Sequence, residues 1–208
     1  MNWLSPDSRF MQAWNNLTDG VLLNLYMLLT SLPLVTVGAA LAAGNVAARK
    51  TLYGEGRGVT RAYFSAFRQN FRKATLLWLP YLAVGLLLGY MWLFVQIREA
   101  LILQYGLSIV WVVGMEWTFA VQARFENTVP RTWFNSLVFG VVHIPYTLAL
   151  VLIDAVYVGL FYGTVLYMPQ FLFLVVVLGY GSMLMLHVPF TERVFMRYGV
   201  GASAEHLA

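Results

Sequence analysis

No cysteine occurs in the 208 residues, which excludes a disulfide framework, a thiolate metal site and a cysteine nucleophile. Charge is scarce: Asp, Glu, Lys and Arg make up 11% of the chain, against roughly 25% in a soluble domain. Apolar and polar residues do not alternate with a period of two, which sets aside a membrane barrel. A Walker-type phosphate loop, a nucleophile elbow and a long polar domain are all missing, so ATP hydrolysis and soluble-domain catalysis lack a place. What fills the chain instead is apolar, 60% by count. It is grouped into runs at 21–43, 74–97, 101–123, 134–164 and 170–190, and about 20 helical residues cross a hydrocarbon core of ~30 Å. The fold class read from this is all-α: a polytopic transmembrane helical bundle, a single domain over 1–208, with about five crossings.

The first run is interrupted by Pro33 in "SLPLVTVG", where a backbone donor is lost. Two readings follow: a kink within one crossing, or a chain reversal with short legs at 13–32 and 34–53, making six helices. Small residues after this run imitate a signal-peptide cleavage site. The acidic residues Asp7 and Asp19, the length of the run and the basic cluster behind it argue instead for a retained anchor. Trp3, Phe10 and Trp14, followed by Asn15, Asn16 and Asp19, read as an interfacial lead-in over 1–20 ending in a capped helix start.

Of the 13 Lys and Arg residues, 11 fall in the 44–73 loop, the loop after the third run and the 191–208 tail; only Arg9 and Arg98 lie elsewhere. The positive-inside rule then places the large loop and the C-terminus in the cytoplasm, with the N-terminus outside under five crossings. The net charge of +4 reflects this asymmetry and does not argue for nucleic acid. Within the loop, "RAYFSAFRQNFRKAT" sets Arg61, Arg68 and Arg72 on one helical face and Phe64, Phe67 and Phe71 on another. This predicts an amphipathic helix over 61–73 lying on the inner leaflet, with Arg61, Arg68, Arg72 and Lys73 as candidates for docking anionic lipid or a partner.

The blocks "LNLYMLLTSLPLVTVGAA", "RKTLYGEG", "YFSAFRQNFRKAT" and "ARFENT" resemble the YesL family of bacterial membrane proteins, whose function is unknown. The resemblance implies a multi-pass protein of the bacterial cytoplasmic membrane. Because such proteins are often encoded beside carbohydrate uptake transporters and glycan-degrading enzymes, it also implies a role alongside sugar import. It brings no active-site residue, cofactor or substrate onto this chain.

Intramembrane ionisable residues are candidates by default, because a charge is costly there without a partner or water. Under five crossings Glu116, His143 and His187 fall in the inner half of the membrane and can converge, whereas Asp154 falls in the outer half. Glu with two His suits proton transfer or a metal; no HxxxH or ExxH spacing ties any pair to one helix, and a buried His bonded to a backbone carbonyl is the ordinary alternative. Arg124 and Glu126 mark the mouth of the third run. The ordinary reading has Arg124 meeting helix carbonyls; the sharper one is a polar lock in which Glu126 pairs with Arg68 or Arg72. Pro80, Pro145 and Pro189 bend or break helices, and Gly85 with Gly89, and Gly159 with Gly163, offer small-residue faces for packing within the bundle.

The leading expectation is a non-catalytic accessory or regulatory protein associated with ABC-type carbohydrate uptake, acting through contacts with transporter subunits and anionic lipid, with no cofactor, metal or nucleic acid expected. The alternative is a small secondary transporter or channel for a small solute, with the prolines and the Glu116, His143 and His187 group along its path. An intramembrane enzyme is the third reading.

Overall fold

The computed structural model describes residues 9–55, 58–95 and 97–204; Trp3, Arg57 and the last four positions of the tail lie outside them. Among the described residues the chain is helical, with no strand: α1 (Arg9–Ser31), α2 (Val37–Leu52), α3 (Val59–Phe94), α4 (Arg98–Arg124), α5 (Val129–Val142), α6 (Ile144–Tyr167) and α7 (Leu172–Ala204). Four helices are long and apolar enough to cross a membrane: α3, α4, α6, and α7 together with the 3-10 turn that precedes it. Only 6% of the most apolar window of α6 is buried in the protein, so its surface faces outward and has lipid as its solvent.

The first apolar run reverses at Pro33. A 3-10 turn, Leu34–Thr36, follows the proline, and α2 returns along α1, so that Leu23 and Met27 share one buried cluster with Ala43, Ala47 and Ala48. Apolar area gives little drive for helix association in lipid, and small residues allow close approach instead. Nine residues of α2 are buried, all of them Ala, Gly or Asn. A Cβ on Gly38 would run into Trp78 and the Ala74 carbonyl of α3. The tip of this hairpin is tied down where Trp78 Nε1 donates to the Leu34 carbonyl at 2.7 Å. Beyond Trp78, α3 continues to Phe94, about 24 Å at 1.5 Å per residue. The α1–α2 hairpin therefore enters from one end of the bundle and turns back well short of the other. The five runs resolve into four long apolar helices, this shorter pair and the short α5.

Residues 61–73 do not form a separate surface helix. They are the opening third of α3, which runs without interruption from Val59 through Pro80 to Phe94. The connecting residues Lys73–Leu77 contain no Gly or Pro, so nothing terminates the helix there. The aromatic residues are used only in part within the protein. Tyr63 is fully buried and its hydroxyl meets that of Thr30; Phe67 packs against the cores on both sides, while Phe64 and Phe71 remain exposed.

Two further breaks shape the bundle. The run at 134–164 divides at His143, which ends α5 and precedes α6, with Pro145 in the first turn of α6. Asn15, Asn16 and Asp19 lie inside α1 rather than at its cap, Thr18 bonding back to the Trp14 carbonyl at 3.0 Å. Gly85 packs against Trp111, but positions Gly89, Gly159 and Gly163 face open space, so the second small-residue face is not used inside the bundle.

Candidate functional site

Helix α7 is broken at Gly179, whose φ of 36° and ψ of −165° suit only glycine. The break frees the carbonyls of Val176 and Val177. The Asn24 side chain replaces the lost helical bonds: Nδ2 donates to Val176 O at 2.8 Å and to Val177 O at 3.0 Å, and Oδ1 accepts from the Gly181 amide at 3.2 Å. One amide of the hairpin thus seals both sides of a discontinuity that lipid would otherwise penalise. Immediately after the break comes Tyr180, whose ring stands edge-on to that of His187 at 6.1 Å.

His187 is 4% exposed, and its Nε2 lies 3.0 Å from Asp154 Oδ1 of α6. Glu116 of α4 completes the group: one ligating atom from each of Glu116, Asp154 and His187 lies within 4.8 Å of the others. The three line a cavity of about 520 Å³ between α2, α4, α6 and α7, walled otherwise by residues such as Leu41, Trp111, Val158 and Leu184, with Asn45 and Thr191 as further polar contributors. Glu116 Oε2, Asp154 Oδ1 and His187 Nε2 are all shielded, and none completes a hydrogen bond.

This grouping differs from the expected one by a single exchange, Asp154 for His143. A single crossing over 134–164 places Asp154 in the outer half. Because the helix restarts at Ile144, Asp154 is only ten residues into α6, about 15 Å, and comes level with Glu116, eight residues before the end of α4. His143 instead sits at the α5–α6 joint in an aromatic nest. Its ring lies against Trp117, Phe139, Tyr146 and Tyr198, with Nδ1 at 3.2 Å from Phe139 O and Nε2 at 3.4 Å from the Tyr198 hydroxyl.

The lock at the mouth of α4 also uses different partners. Arg124 Nε lies 3.5 Å from Glu192 Oε2 of α7, a side chain only 8% exposed. Glu126 is exposed and forms no ion pair among the described residues. Among the polar links between α3 and α4, the one nearest this mouth is the amide pair Gln122 Nε2 to Asn70 Oδ1, at 3.2 Å. Arg61, Arg68 and Arg72 are exposed and Lys73 is half-buried; Arg61 and Arg68 flank an open depression with Phe64, Ser65 and Gln69.

Two functional amides carry no charge to mark them in the sequence. Asn24 within the 21–43 run was the signal for the α7 break, and Gln104 was the signal for the α3–α4 turn, where Nε2 donates to Met91 O and Val95 O, both at 3.0 Å. Residues 21–92 match the model of a family described as a protein of unknown function, DUF624. The match takes in most of the hairpin and of α3 and stops before Glu116. No curated protein and no solved structure matches the chain.

Proposed function

We propose that this chain is a membrane-embedded solute-handling protein, a small transporter or channel, whose binding site is the cavity between α2, α4, α6 and α7. The observation that carries this reading is the meeting of Glu116, Asp154 and His187 on the wall of an otherwise apolar cavity of about 520 Å³. That volume falls within the roughly 300–1,000 Å³ of small-molecule sites, and a few convergent polar groups on apolar walls are what orients a solute. The surroundings support it: a hairpin that turns back within the bundle and a helix broken at Gly179 are the discontinuities that membrane transporters place around their sites.

The lack of cysteine allows a direct test. Single Val151→Cys and Met115→Cys variants, both on the cavity wall, are expected to react with a membrane-impermeant thiol reagent from one face of the membrane. Leu152→Cys, on the exposed side of α6, is expected to stay unlabelled in lipid. Cavity positions that resist the reagent from both faces would overturn the reading.

A second reading keeps the accessory role in carbohydrate uptake, in the bacterial cytoplasmic membrane, that the family resemblance implies. Its support is the open depression on α3, where Arg61 and Arg68 stand beside the exposed Phe64. Aromatic and Arg side chains together are a usual composition for a protein-docking patch.

A further inference from the structure

Two carboxylates and an imidazole meet in a cavity that no Lys or Arg side chain lines. Glu116, Asp154 and His187 come from three different helices, and their ligating atoms lie within 4.8 Å of one another. His187 is more than nine-tenths buried. Its Nε2 faces Asp154 Oδ1 at 3.0 Å without the alignment of a hydrogen bond, and Glu116 Oε2 is likewise shielded and unpartnered. A buried polar atom left unpartnered is costly, and more so for a charged group. In the forms that bind a metal, two ionised carboxylates with a neutral imidazole carry two negative charges, which one divalent cation balances.

The donor set selects the kind of cation. Magnesium and calcium take oxygen ligands throughout, and soft thiolate-seeking ions are excluded by the absence of cysteine. One imidazole nitrogen with two carboxylate oxygens suits a first-row transition ion of the zinc or manganese kind. With metal–ligand bonds of about 2.0–2.2 Å, neighbouring ligand atoms stand roughly 3–4 Å apart. His187 and Asp154 already have that separation, and Glu116 closes the set with a shift of about 1 Å within the flexibility of its side chain. Three protein ligands leave a position open toward the cavity, the arrangement of sites at which an ion or its bound water is exchanged.

We propose that Glu116, Asp154 and His187 bind a divalent transition cation of the Zn2+ or Mn2+ class within the membrane cavity. The proposal rests on the solute-handling reading for its purpose and makes the cation the solute or its co-substrate.

The test uses the full chain, purified through a tag without histidine, placed in lipid nanodiscs, stripped with chelator and titrated with MnCl2. One Mn2+ per chain is expected, with the nitrogen hyperfine coupling of a single imidazole in pulsed electron paramagnetic resonance, and displacement by ZnCl2. Asp154→Asn and Glu116→Gln are each expected to weaken binding by more than the about 100-fold that loss of a supporting outer contact can cost. His187→Gln removes the nitrogen coupling, and Glu126→Gln, on the exposed surface, leaves affinity unchanged. Absence of bound Mn2+ or of nitrogen coupling in the unmodified chain overturns the proposal even if the variants fail to fold, and so does undiminished binding in all three. No ion in a cavity that thiol reagent reaches would overturn the metal site alone; an ion bound in a cavity closed to reagent from both faces would overturn the solute-handling reading alone.

Discussion

At the scale of single residues, Asn24 has the largest predicted effect on stability. Its one side chain satisfies two carbonyls and one amide at the α7 break, and each buried polar group left unpaired costs about 1–3 kcal/mol. Asn24→Ala is therefore expected to destabilise the protein by roughly 3 kcal/mol or more. Asn24→Asp is expected to be at least as harmful, since it keeps the acceptor for Gly181 but sets a carboxylate against two carbonyl oxygens. Gly179→Ala joins them, because its backbone lies at positive φ and an added Cβ would run into Asn24. Thermal unfolding of the detergent-solubilised protein checks all three; a melting temperature unmoved by Asn24→Asp would show that the break does not depend on this amide. Asn24 is visible in the sequence only as one amide inside an apolar run; its partners lie more than 150 positions away, and nothing local announces that "VVVLGYGS" breaks at its first glycine. Glu116, His187 and Asp154 were all visible as costly intramembrane groups. Which of them meet depended on where α6 begins, and a histidine two residues before a proline reads equally well as the interior of a kinked helix.

At the scale of elements, α3 shows what periodicity can and cannot say. Spacing of arginines and aromatics in 61–73 correctly indicates a helix with two faces, because that pattern depends only on 100° per residue. It does not say what each face meets. Tyr63 and Phe67 meet the α1–α2 hairpin and its neighbours, and the helix continues into the span; the basic face remains outside together with Phe64 and Phe71. If that face docks a partner through bidentate carboxylate pairs, an Arg61→Lys, Arg68→Lys and Arg72→Lys triple variant is expected to lose the partner while inserting normally, because lysine supplies the charge but not the fork. Attraction to anionic lipid alone would survive the exchange and fade with salt. Co-purification from native membranes at low and high salt separates the two: retention of every partner by the triple variant would reduce the segment to a lipid contact and remove the support for an accessory role.

At the scale of the whole molecule, the reversal at Pro33 changes where the chain begins relative to the membrane. Helix α1 packs antiparallel to α7, with Gly20 against Ser182 and Asn24 against Gly181, so the start of α1 and the end of α7 share one end of the bundle. The same end holds the α2–α3 connection, where Asp19 and Lys50 line one small cavity, and the Arg124–Glu192 pair of α4 and α7. Basic residues therefore gather at this end, and Arg98, at the start of α4, lies at the other. Under the positive-inside rule the basic end is expected in the cytoplasm, with the start of α1 and the end of α7 on that side, in place of the outside N-terminus expected from five crossings. A reporter that fluoresces only in the cytoplasm is expected to glow when fused at either terminus. The hairpin adds a sharper measurement. Its tip is level with Trp78, about 24 Å short of the end of α3, so a Val35→Cys variant is expected to be unreactive toward impermeant thiol reagent applied from outside, whereas Glu99→Cys, exposed in the first turn of α4, is expected to label readily. Labelling of both from outside would make α1 and α2 two full crossings; a dark N-terminal fusion with a bright C-terminal one would restore the single crossing and contradict the reversal.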